Sequence, residues 1–485
     1  MSISGPTQPT RRGVLAGTMA GTTVGAAAAL APSAQAAPAD GRSPGPGRDD
    51  DWPAGPGRRL RPQPVDRELR AILREVDPRR IERTVRRLAA FGTRHTLSSQ
   101  NDPQRGIGAA RDWIAEQMRG YARASGGRMT VTLPSYVQEP APRIPVPTRI
   151  SNVVARLEGS TDPGRVYVVS GHYDSRATDV MDAESDAPGA DDDASGVAIA
   201  MELARIMATR RPAATILFAA VAGEEQGLYG AAFLARSLKA EGVDVQAMFT
   251  DDIVGASRAD DGTRDPRSVR LFVQGLPSSE SAEEIEQRGT LGGENDSPAR
   301  QLGRFVTEVA DPAATGMQVR LVYRLDRYLR GGDHRPFLEE GYPAARFTEP
   351  NEDYAHQHQD VRVEDGQQYG DLPEFCDFEY IARVARVNAA AVWSLAQAPG
   401  TPVDVTVDTT QLTNDTTLTW SPGTGGATSY EVVWRPTEEP LWEKVIDVGD
   451  TTTATVDLSK DNVVFGVRSV GPGGHRSPAV FPVPG

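Results

Sequence analysis

The sequence predicts an α/β protein with a mostly parallel, mixed sheet between layers of helices, followed by a small all-β sandwich. Apolar strand-like runs alternate with helix-like segments between residues 166 and 250, as in a parallel sheet covered on both faces. After residue 401 the pattern changes to period-2 alternation with closely spaced turns, which indicates a sandwich. Acidic residues and a histidine follow the apolar strands, where ligands bind in sheets of this kind.

Individual elements follow from periodicity and from Gly and Pro punctuation. Apolar residues at helical spacing predict a helix over 65–88 and a second one over 107–121. The later predicted elements, in chain order, are strand 166–170, helix 196–207, strand 214–221, helix 229–240, strand 247–250 and a long helix over 373–397.

The first 36 residues predict an export signal that is not part of the fold. Arg11-Arg12 precede a run of small and apolar residues that ends at Ala34-Gln35-Ala36, a secretory cleavage pattern. The paired arginines resemble a twin-arginine signal, and the Gly and Thr that dilute the run argue against a membrane anchor. Residues 37–66, rich in Pro, Gly and Arg, predict a disordered spacer or short pro-segment. The predicted domains are then 67–398 and 401–485, and the protein is expected to be secreted.

Composition excludes several classes of protein. The 485 residues carry 52 Lys and Arg against 66 Asp and Glu, a net charge of −14, so nucleic acid is not an expected partner. No membrane partner is expected either. A lone cysteine, Cys376, excludes an internal disulfide framework and suits a small buried hydrophobe.

Five short pieces place acidic residues or histidine where strands should end. Two imidazoles and several carboxylates on the loops of one sheet indicate an oxygen- and nitrogen-rich metal site, and hence a metallohydrolase. The pieces are Gly171-His172-Tyr173-Asp174-Ser175, residues 189–196 (GADDDASG), Ala222-Gly223-Glu224-Glu225-Gln226-Gly227, residues 250–255 (TDDIVG) and Tyr354-Ala355-His356-Gln357-His358.

The residue types in these pieces predict separate tasks. Asp174 stands two residues after His172, placed to accept the second N–H of a metal-bound imidazole. Three adjacent aspartates repel one another, and a bound cation compensates for this repulsion. Asp192 is therefore the preferred bridge between two metals, whereas Asp193 suits the cap of the following helix.

The other pieces leave some choices open. In Glu224-Glu225 adjacent side chains leave the loop in different directions, so one can bind metal while the other faces bound water. Asp252 lies where a strand should end and is the candidate ligand there, and Asp251 is the alternative candidate. Chemistry alone does not choose between His356 and His358.

Residues of about 67–398 resemble the M28 family of co-catalytic dizinc aminopeptidases, in its secreted actinobacterial type. The order and content of the motifs match over more than three hundred residues. The matching motifs are His-x-Asp-Ser at 172–175, Pro-Gly-Ala-Asp-Asp-Asp-Ala-Ser-Gly at 188–196, Gly-Glu-Glu-x-Gly at 223–227, Asp-x-x-Gly at 252–255, Asp-His-x-Pro-Phe at 333–337, Gly-Tyr-Pro-Ala-Ala at 341–345 and His-x-x-x-Asp at 356–360.

This resemblance implies a zinc-dependent exopeptidase with two zinc ions and Glu224 as general base. The His-x-x-x-Asp register ending at Asp360 favours His356 over His358. The implied ligands are His172, Asp192 and Asp252 for one zinc, and Asp192, Glu225 and His356 for the other.

The resemblance also implies roles for residues around the metal ligands. Asp333-His334 would support the ligands without binding metal. Several family members place a tyrosine directly before the second histidine to stabilise the tetrahedral intermediate. Ala355 holds that place here, and Tyr354 one residue earlier is the candidate for this oxyanion aid.

The expected activity is removal of N-terminal residues from a peptide or protein substrate. Two enzymes on the same fold are alternatives: a glutaminyl cyclase, which uses one zinc, and a carboxypeptidase, which needs a cationic grip on the substrate carboxylate. The candidates for that grip are Arg324, Arg327, Arg330 and Arg335.

A secreted binding protein is the alternative from another class. The segment 401–485 resembles a fibronectin type III module in Leu-Thr-Trp-Ser-Pro (418–422) and in residues 429–434, and it would contact polymer or a cell surface. Ca²⁺ at Asp260-Asp261 with Asp265 is a further cofactor alternative, although solvated carboxylates account for that stretch.

Overall fold

The computed structural model describes residues 52–485. The predicted signal and the first part of the predicted spacer lie outside these residues. The helices are α1 (Arg67–Glu75), α2 (Pro78–Ala89), α3 (Ile107–Arg123), α4 (Ala194–Met207), α5 (Glu224–Gly227), α6 (Tyr229–Ala240), α7 (Ala282–Thr290), α8 (Pro298–Val309), α9 (Pro312–Thr315), α10 (His334–Glu339) and α11 (Phe378–Gln397).

The twelve strands between residues 129 and 369 belong to the α/β part, and the strand at 58–59 and the strands after residue 400 belong to the sandwich. The strands are β1 (Arg58–Arg59), β2 (Met129–Thr132), β3 (Ser135–Gln138), β4 (Thr148–Ser151), β5 (Val153–Leu157), β6 (Asp162–His172), β7 (Ala214–Val221), β8 (Asp244–Asp251), β9 (Ser268–Phe272), β10 (Gln318–Val322), β11 (Ala344–Thr348), β12 (Arg362–Glu364), β13 (Gln367–Tyr369), β14 (Val403–Val407), β15 (Thr416–Ser421), β16 (Ser429–Pro436), β17 (Lys444–Gly449), β18 (Thr453–Val456), β19 (Val463–Val470) and β20 (Val483–Pro484).

The central sheet has eight strands in the order β10-β9-β11-β8-β6-β7-β5-β2. Strand β6 pairs in parallel with β7 and β8, and β8 pairs in parallel with β11. Antiparallel partners join at β5 and β9, so the sheet is mixed, as predicted. Because β6, β7 and β8 run the same way, their carboxyl ends meet at one edge of the sheet.

Two apolar clusters cover the two faces of this sheet. One contains the apolar faces of α1 to α4, α8 and α11, and the other contains those of α6 and α10. Helix α4 lies close to the strands because its sequence begins Ala-Ser-Gly: a Cβ at Gly196 would lie 2.1 Å from the carbonyl oxygen of Asp251. This close approach brings the start of α4 to the carboxyl edge of the sheet.

The predicted helix over 65–88 is two helices in the structure. Asp77 caps the second one by accepting a hydrogen bond from the Arg79 N–H, and Pro78 occupies its first position. Proline lacks the N–H that would continue the first helix, so the chain turns at this point.

The C-terminal part is a sandwich of two four-stranded sheets. Their orders are β1-β17-β16-β19 and β18-β15-β14-β20, and the side chains of Trp420, Trp434 and Phe465 lie in the core between them. Its likeness to a fibronectin type III module stays a prediction.

The prediction of a disordered spacer over 37–66 is wrong for residues 52–66, the part of it that the structure describes. Arg58 and Arg59 form β1, which pairs antiparallel with β17 of the sandwich. The indole of Trp434 donates a hydrogen bond to the carbonyl of Pro56 at 2.8 Å. Backbone pairing at a sheet edge needs no apolar pattern, so a Pro- and Gly-rich segment can supply the edge strand.

The sandwich packs against α8 through buried charges. The Asp296 carboxylate accepts hydrogen bonds from Arg304 at 3.0 Å and from Arg435 of β16 at 2.6 Å, and all three side chains are at most 2% exposed. Arg468 of β19 pairs with Glu308 at 2.6 Å. These pairs join the sandwich to the α/β part within one compact unit.

Among the helices of residues 52–485, none is long and apolar enough to cross a membrane.

Candidate metal centre

The carboxyl edge of the sheet gathers two groups of potential metal ligands. His172 ends β6, Glu225 follows β7, and Asp252 follows β8, so all three project from neighbouring parallel strands. Within each group the ligand atoms lie within 4.8 Å of one another. The first group is His172, Asp192 and Asp252, and the second is Asp192, Glu225 and His358.

Asp192 belongs to both groups, and each of its oxygens faces one of them. Oδ1 lies 3.0 Å from Nε2 of His172, and Oδ2 lies 2.9 Å from Nε2 of His358. A carboxylate with one oxygen in each of two neighbouring groups has the arrangement that bridges two metal ions.

The ligand atoms lie close together, yet some of them have no hydrogen-bond partner within the described part of the chain. Nε2 of His172 and Oε1 of Glu225 are buried and have no hydrogen-bond partner among the described residues. Oε1 of Glu225 is 3.1 Å from Nε2 of His358, yet the two do not align as donor and acceptor. Buried polar atoms without partners are rare, and nitrogen and carboxylate oxygen are donors that Zn²⁺ accepts. The residues present therefore fit zinc at both groups.

His172 is held from two sides. Its backbone N–H donates to Oδ2 of Asp193 at 2.9 Å, and its ring Nδ1 lies 3.2 Å from the carbonyl oxygen of Asp174. Nδ1 is 3.6 Å from Oδ1 of Asp174, so the backbone carbonyl is the nearer partner of the ring. With Nδ1 bonded, Nε2 is the nitrogen directed at the group.

The three consecutive aspartates have three different tasks. Asp193 accepts from the N–H of Gly196 at 2.9 Å and so caps α4. Oδ1 of Asp191 accepts from the N–H of Gly255 at 2.5 Å, which ties this loop to the one after β8. Asp371 accepts the N–H groups of Asp191 and Asp192, both at 2.8 Å. Only Asp192 is left to face both groups.

The adjacent glutamates point in different directions from a short helix. The helix α5 begins after Gly223, at φ 74°, and the N–H groups of Glu224 and Glu225 donate to the Asp174 carboxylate at 3.3 and 3.1 Å. Glu225 lies in the second group, and Glu224 lies in neither. Burial raises the pKa of Glu224 well above its usual range, with Asp252 nearby adding to the rise.

Asp252 is fixed by a residue that sequence reasoning missed. The guanidinium of Arg346, fully buried in β11, lies 2.9 Å from Oδ1 of Asp252 and 3.0 Å from Oδ2 of Asp326. Burial acts to raise the pKa of Asp252, but the Arg346 charge and His172 together outweigh it, and the pKa is lowered. The neighbouring Asp251 points away and accepts from Asn388 of α11 at 2.7 Å. A lone charged residue in an otherwise uncharged strand was the available signal for Arg346.

The histidine of the second group is His358, which corrects the choice of His356. The His356 ring stacks on Phe375 with centroids 3.5 Å apart, and its Nδ1 lies 3.2 Å from the Asp353 carboxylate. His358 adopts a left-handed φ of 54°, which turns its side chain towards Asp192. The His-x-x-x-Asp spacing carries no information about this local turn. Burial acts to lower the pKa of His358, but Glu225 and Asp192 raise it to about 10.

Substituting each histidine separately tests this assignment. We expect His358→Ala to lower the zinc content of the protein, because it removes the second group's only nitrogen ligand. His356→Ala is the matched control, since it is two residues away and should keep the zinc content of the unaltered protein. Elemental analysis of the purified proteins measures both. Loss of zinc from His356→Ala with full zinc in His358→Ala would contradict the structure.

The predicted outer residues lie in different surroundings. Asp333 is buried, both of its carboxyl oxygens lack a partner among the described residues, and burial raises its pKa to about 8. Nε2 of His334 lies 2.8 Å from the carbonyl oxygen of Leu325. Tyr354 is 58% exposed and makes no hydrogen bond to either group within residues 52–485, so the structure gives no contact that supports it as an oxyanion aid.

The alternative calcium stretch has only local contacts in the structure. Asp261 accepts from the N–H of Thr263, and Asp265 accepts from the N–H of Arg267, as in ordinary turns. The metal-ligand groups found within residues 52–485 do not include these side chains.

A mixed α/β sheet whose carboxyl edge carries two nitrogen- and carboxylate-rich groups, joined by one aspartate, has the architecture of a metallohydrolase. The family model for Peptidase family M28 matches residues 152–364, a range that contains all five residues of the two groups. The chain belongs to peptidase family M28.

Two relatives agree with this membership. A probable zinc metalloprotease of Pyricularia oryzae is 59% identical over 95% of this chain and 96% of its own length. One of Leptosphaeria maculans is 60% identical over 88% of this chain and 99% of its own length. The structure of LapA from Legionella pneumophila matches 70% of this chain and 78% of its own, at 17% identity and a TM-score of 0.49.

Proposed function

We propose that this protein is a two-zinc aminopeptidase that hydrolyses the N-terminal peptide bond of peptide or protein substrates. The observation that carries the proposal is the position of Asp192, with one oxygen in each ligand group. Membership of family M28 and the zinc metalloprotease relatives support a zinc-dependent peptidase. The finer assignment, an aminopeptidase with two zinc ions, rests on the geometry and charge of the centre.

The proposed chemistry divides between the metals and the chain. When bound, the zinc pair supplies a water of lowered pKa and withdraws charge from the scissile carbonyl. Glu224 belongs to neither group and directly precedes Glu225 in the chain. Its carboxylate is therefore free to take the proton of that water. It can accept this proton and later deliver it to the leaving amine.

The charge around the centre favours an amino group over a carboxylate as the substrate end. Asp192, Glu225 and Asp252 would be occupied by the metals, and the neighbouring carboxyl of Glu224 would be left to attract a cationic α-amino group.

The arginines that a carboxypeptidase would need are mostly engaged elsewhere. Arg327 pairs with Asp326 and Glu352, and Arg335 pairs with Glu339. The guanidinium of Arg324 lies 4.2 Å from the ring centre of Tyr328. Arg330 therefore remains as the candidate of the four for a carboxylate grip, and this weakens the carboxypeptidase alternative.

A glutaminyl cyclase remains the second candidate, because the group of Asp192, Glu225 and His358 alone would hold a single zinc. The complete first group of His172, Asp192 and Asp252 favours two metals. Metal stoichiometry therefore separates the two functions.

The first test combines zinc content with substrate blocking. We expect two zinc ions per chain by elemental analysis and release of the N-terminal residue from free peptides. N-acetylation should abolish turnover, because it removes the charge of the α-amino group. A chelator should abolish activity and added zinc should restore it. Hydrolysis that survives N-acetylation argues against an aminopeptidase, and one zinc with pyroglutamate formation supports the cyclase.

We also propose that the protein is exported by the twin-arginine route, on the strength of Arg11-Arg12 and the Ala34-Gln35-Ala36 pattern. Contact with a polymer through the sandwich is a proposal of the same kind. Pull-down of the purified protein on insoluble cell-wall polymer would test it.

A further inference from the structure

A short segment after Asp174, here called the strap (residues 176–180), crosses between two ligand-bearing loops. At Thr178 it meets the loop that carries His358. The Thr178 N–H donates to Oδ1 of Asp360, and the Asp360 N–H donates to the Thr178 hydroxyl, each at 3.0 Å. These two reciprocal bonds join residues 182 positions apart in the chain. Asp360 stands two residues beyond His358.

The other end of the strap meets the loop that carries Glu225. The carbonyl oxygen of Val180 lies 2.9 Å from Nε2 of His95 and 3.5 Å from Nε2 of Gln226, the residue after Glu225. Nε2 of Gln226 also lies 3.0 Å from Nε2 of His95. Because His95 and Gln226 are buried, this end of the strap is anchored in the interior.

The two ends therefore reach the two loops that complete the second ligand group. The first group is fastened by other means: His172 by Asp193, and Asp252 by Arg346. His358 needs such a support because its backbone has a left-handed φ of 54°, which is unfavourable for a residue other than glycine. Its side chain is also 22% exposed, more than any other member of the two groups.

We propose that the strap is a positioning element for the second zinc: through Thr178 and Asp360 it holds His358 in reach of Asp192 and Glu225. Neither residue would touch metal or substrate. The inference rests on the proposed two-zinc function, and it gives a reason why the two positions would bind zinc with unequal affinity. Breaking the link should weaken the second zinc and leave the first one bound.

The substitutions separate the hydrogen bonds from side-chain size and charge. Thr178→Val keeps the shape and removes the acceptor for the Asp360 N–H, and Thr178→Ser keeps the hydroxyl. Asp360→Ala removes the acceptor for the Thr178 N–H, whereas Asp360→Asn keeps an acceptor oxygen and loses only the charge. We expect the double variant Thr178→Val, Asp360→Ala to bind the second zinc about tenfold more weakly, the effect of two exposed hydrogen bonds.

The readout is zinc titration of the metal-free protein against a chromophoric chelator, which gives both binding constants. Cobalt absorption spectra report the ligand geometry at each position. We expect an unchanged first constant in every variant, which also shows that the variants are folded, and near-normal second constants for Thr178→Ser and Asp360→Asn. Equal second-zinc affinity in the double variant and the unaltered protein would overturn the role of the strap. A single zinc in the unaltered protein would overturn the proposed two-zinc function instead.

Discussion

Glu224→Gln should lower kcat by about 10²- to 10⁴-fold, the range that a general base contributes, and leave the zinc content of the protein unchanged. The amide has the size of the carboxyl but cannot accept the proton of the attacking water. Glu224 lies in neither ligand group, so its loss removes no metal contact. Steady-state kinetics on an N-terminally free peptide, together with elemental analysis of the same sample, measures both quantities.

Glu225→Gln is the matched control, because it makes the same chemical change one residue later. There we expect loss of zinc from the second group, since Oε1 of Glu225 is one of its ligand atoms. If Glu224→Gln turned over substrate normally, or lost zinc as Glu225→Gln does, the division of roles between the two glutamates would be wrong.

Arg435→Ala should lower the free energy of unfolding by about 1.5–3 kcal/mol, the worth of a buried hydrogen bond to a charged group, since Arg304 still pairs with Asp296. Its guanidinium lies 2.6 Å from the buried Asp296 carboxylate, at the contact between the sandwich and α8. Urea unfolding followed by tryptophan fluorescence would measure the loss, since Trp442 lies at this contact and donates to Gln301.

Arg58→Ala is the control for this prediction. The Arg58 side chain is 55% exposed where it pairs with Glu431, so its removal should cost at most about 1 kcal/mol.

We also expect a chain that ends at residue 400 to be insoluble, because it exposes the apolar and charged surface of α8 that the sandwich covers. A soluble, fully active truncated chain would show instead that the sandwich is an accessory domain.

The edge of the sheet that carries the site could be predicted from the sequence. Strongly apolar runs end at His172, before Glu224 and before Asp252, and parallel strands bring their carboxyl ends together. Such reasoning depends only on strand direction and periodicity, and the structure places His172, Asp192, Glu225 and Asp252 together. Their role as metal ligands stays a prediction.

Residues outside regular elements could not be predicted in the same way. The choice between His356 and His358 depends on one left-handed backbone angle, which no apolar period records. Arg346 lies inside a buried strand, and its charge there is accounted for by its ion pairs with Asp252 and Asp326. Both cases involve contacts between segments that are distant in the chain.

The antiparallel pairing of β1 with β17 has a consequence for the order of folding. Arg58 is made long before its partner Val445, which lies 387 residues later in the chain. Domains generally fold from the N-terminus during translation, but this sheet cannot close until the chain has been made as far as β17. The pairing is therefore a late step relative to the folding of the α/β part, and pairings of such long range form slowly. Until that step the edge of β17 stays open, and nascent chains are most prone to associate through it.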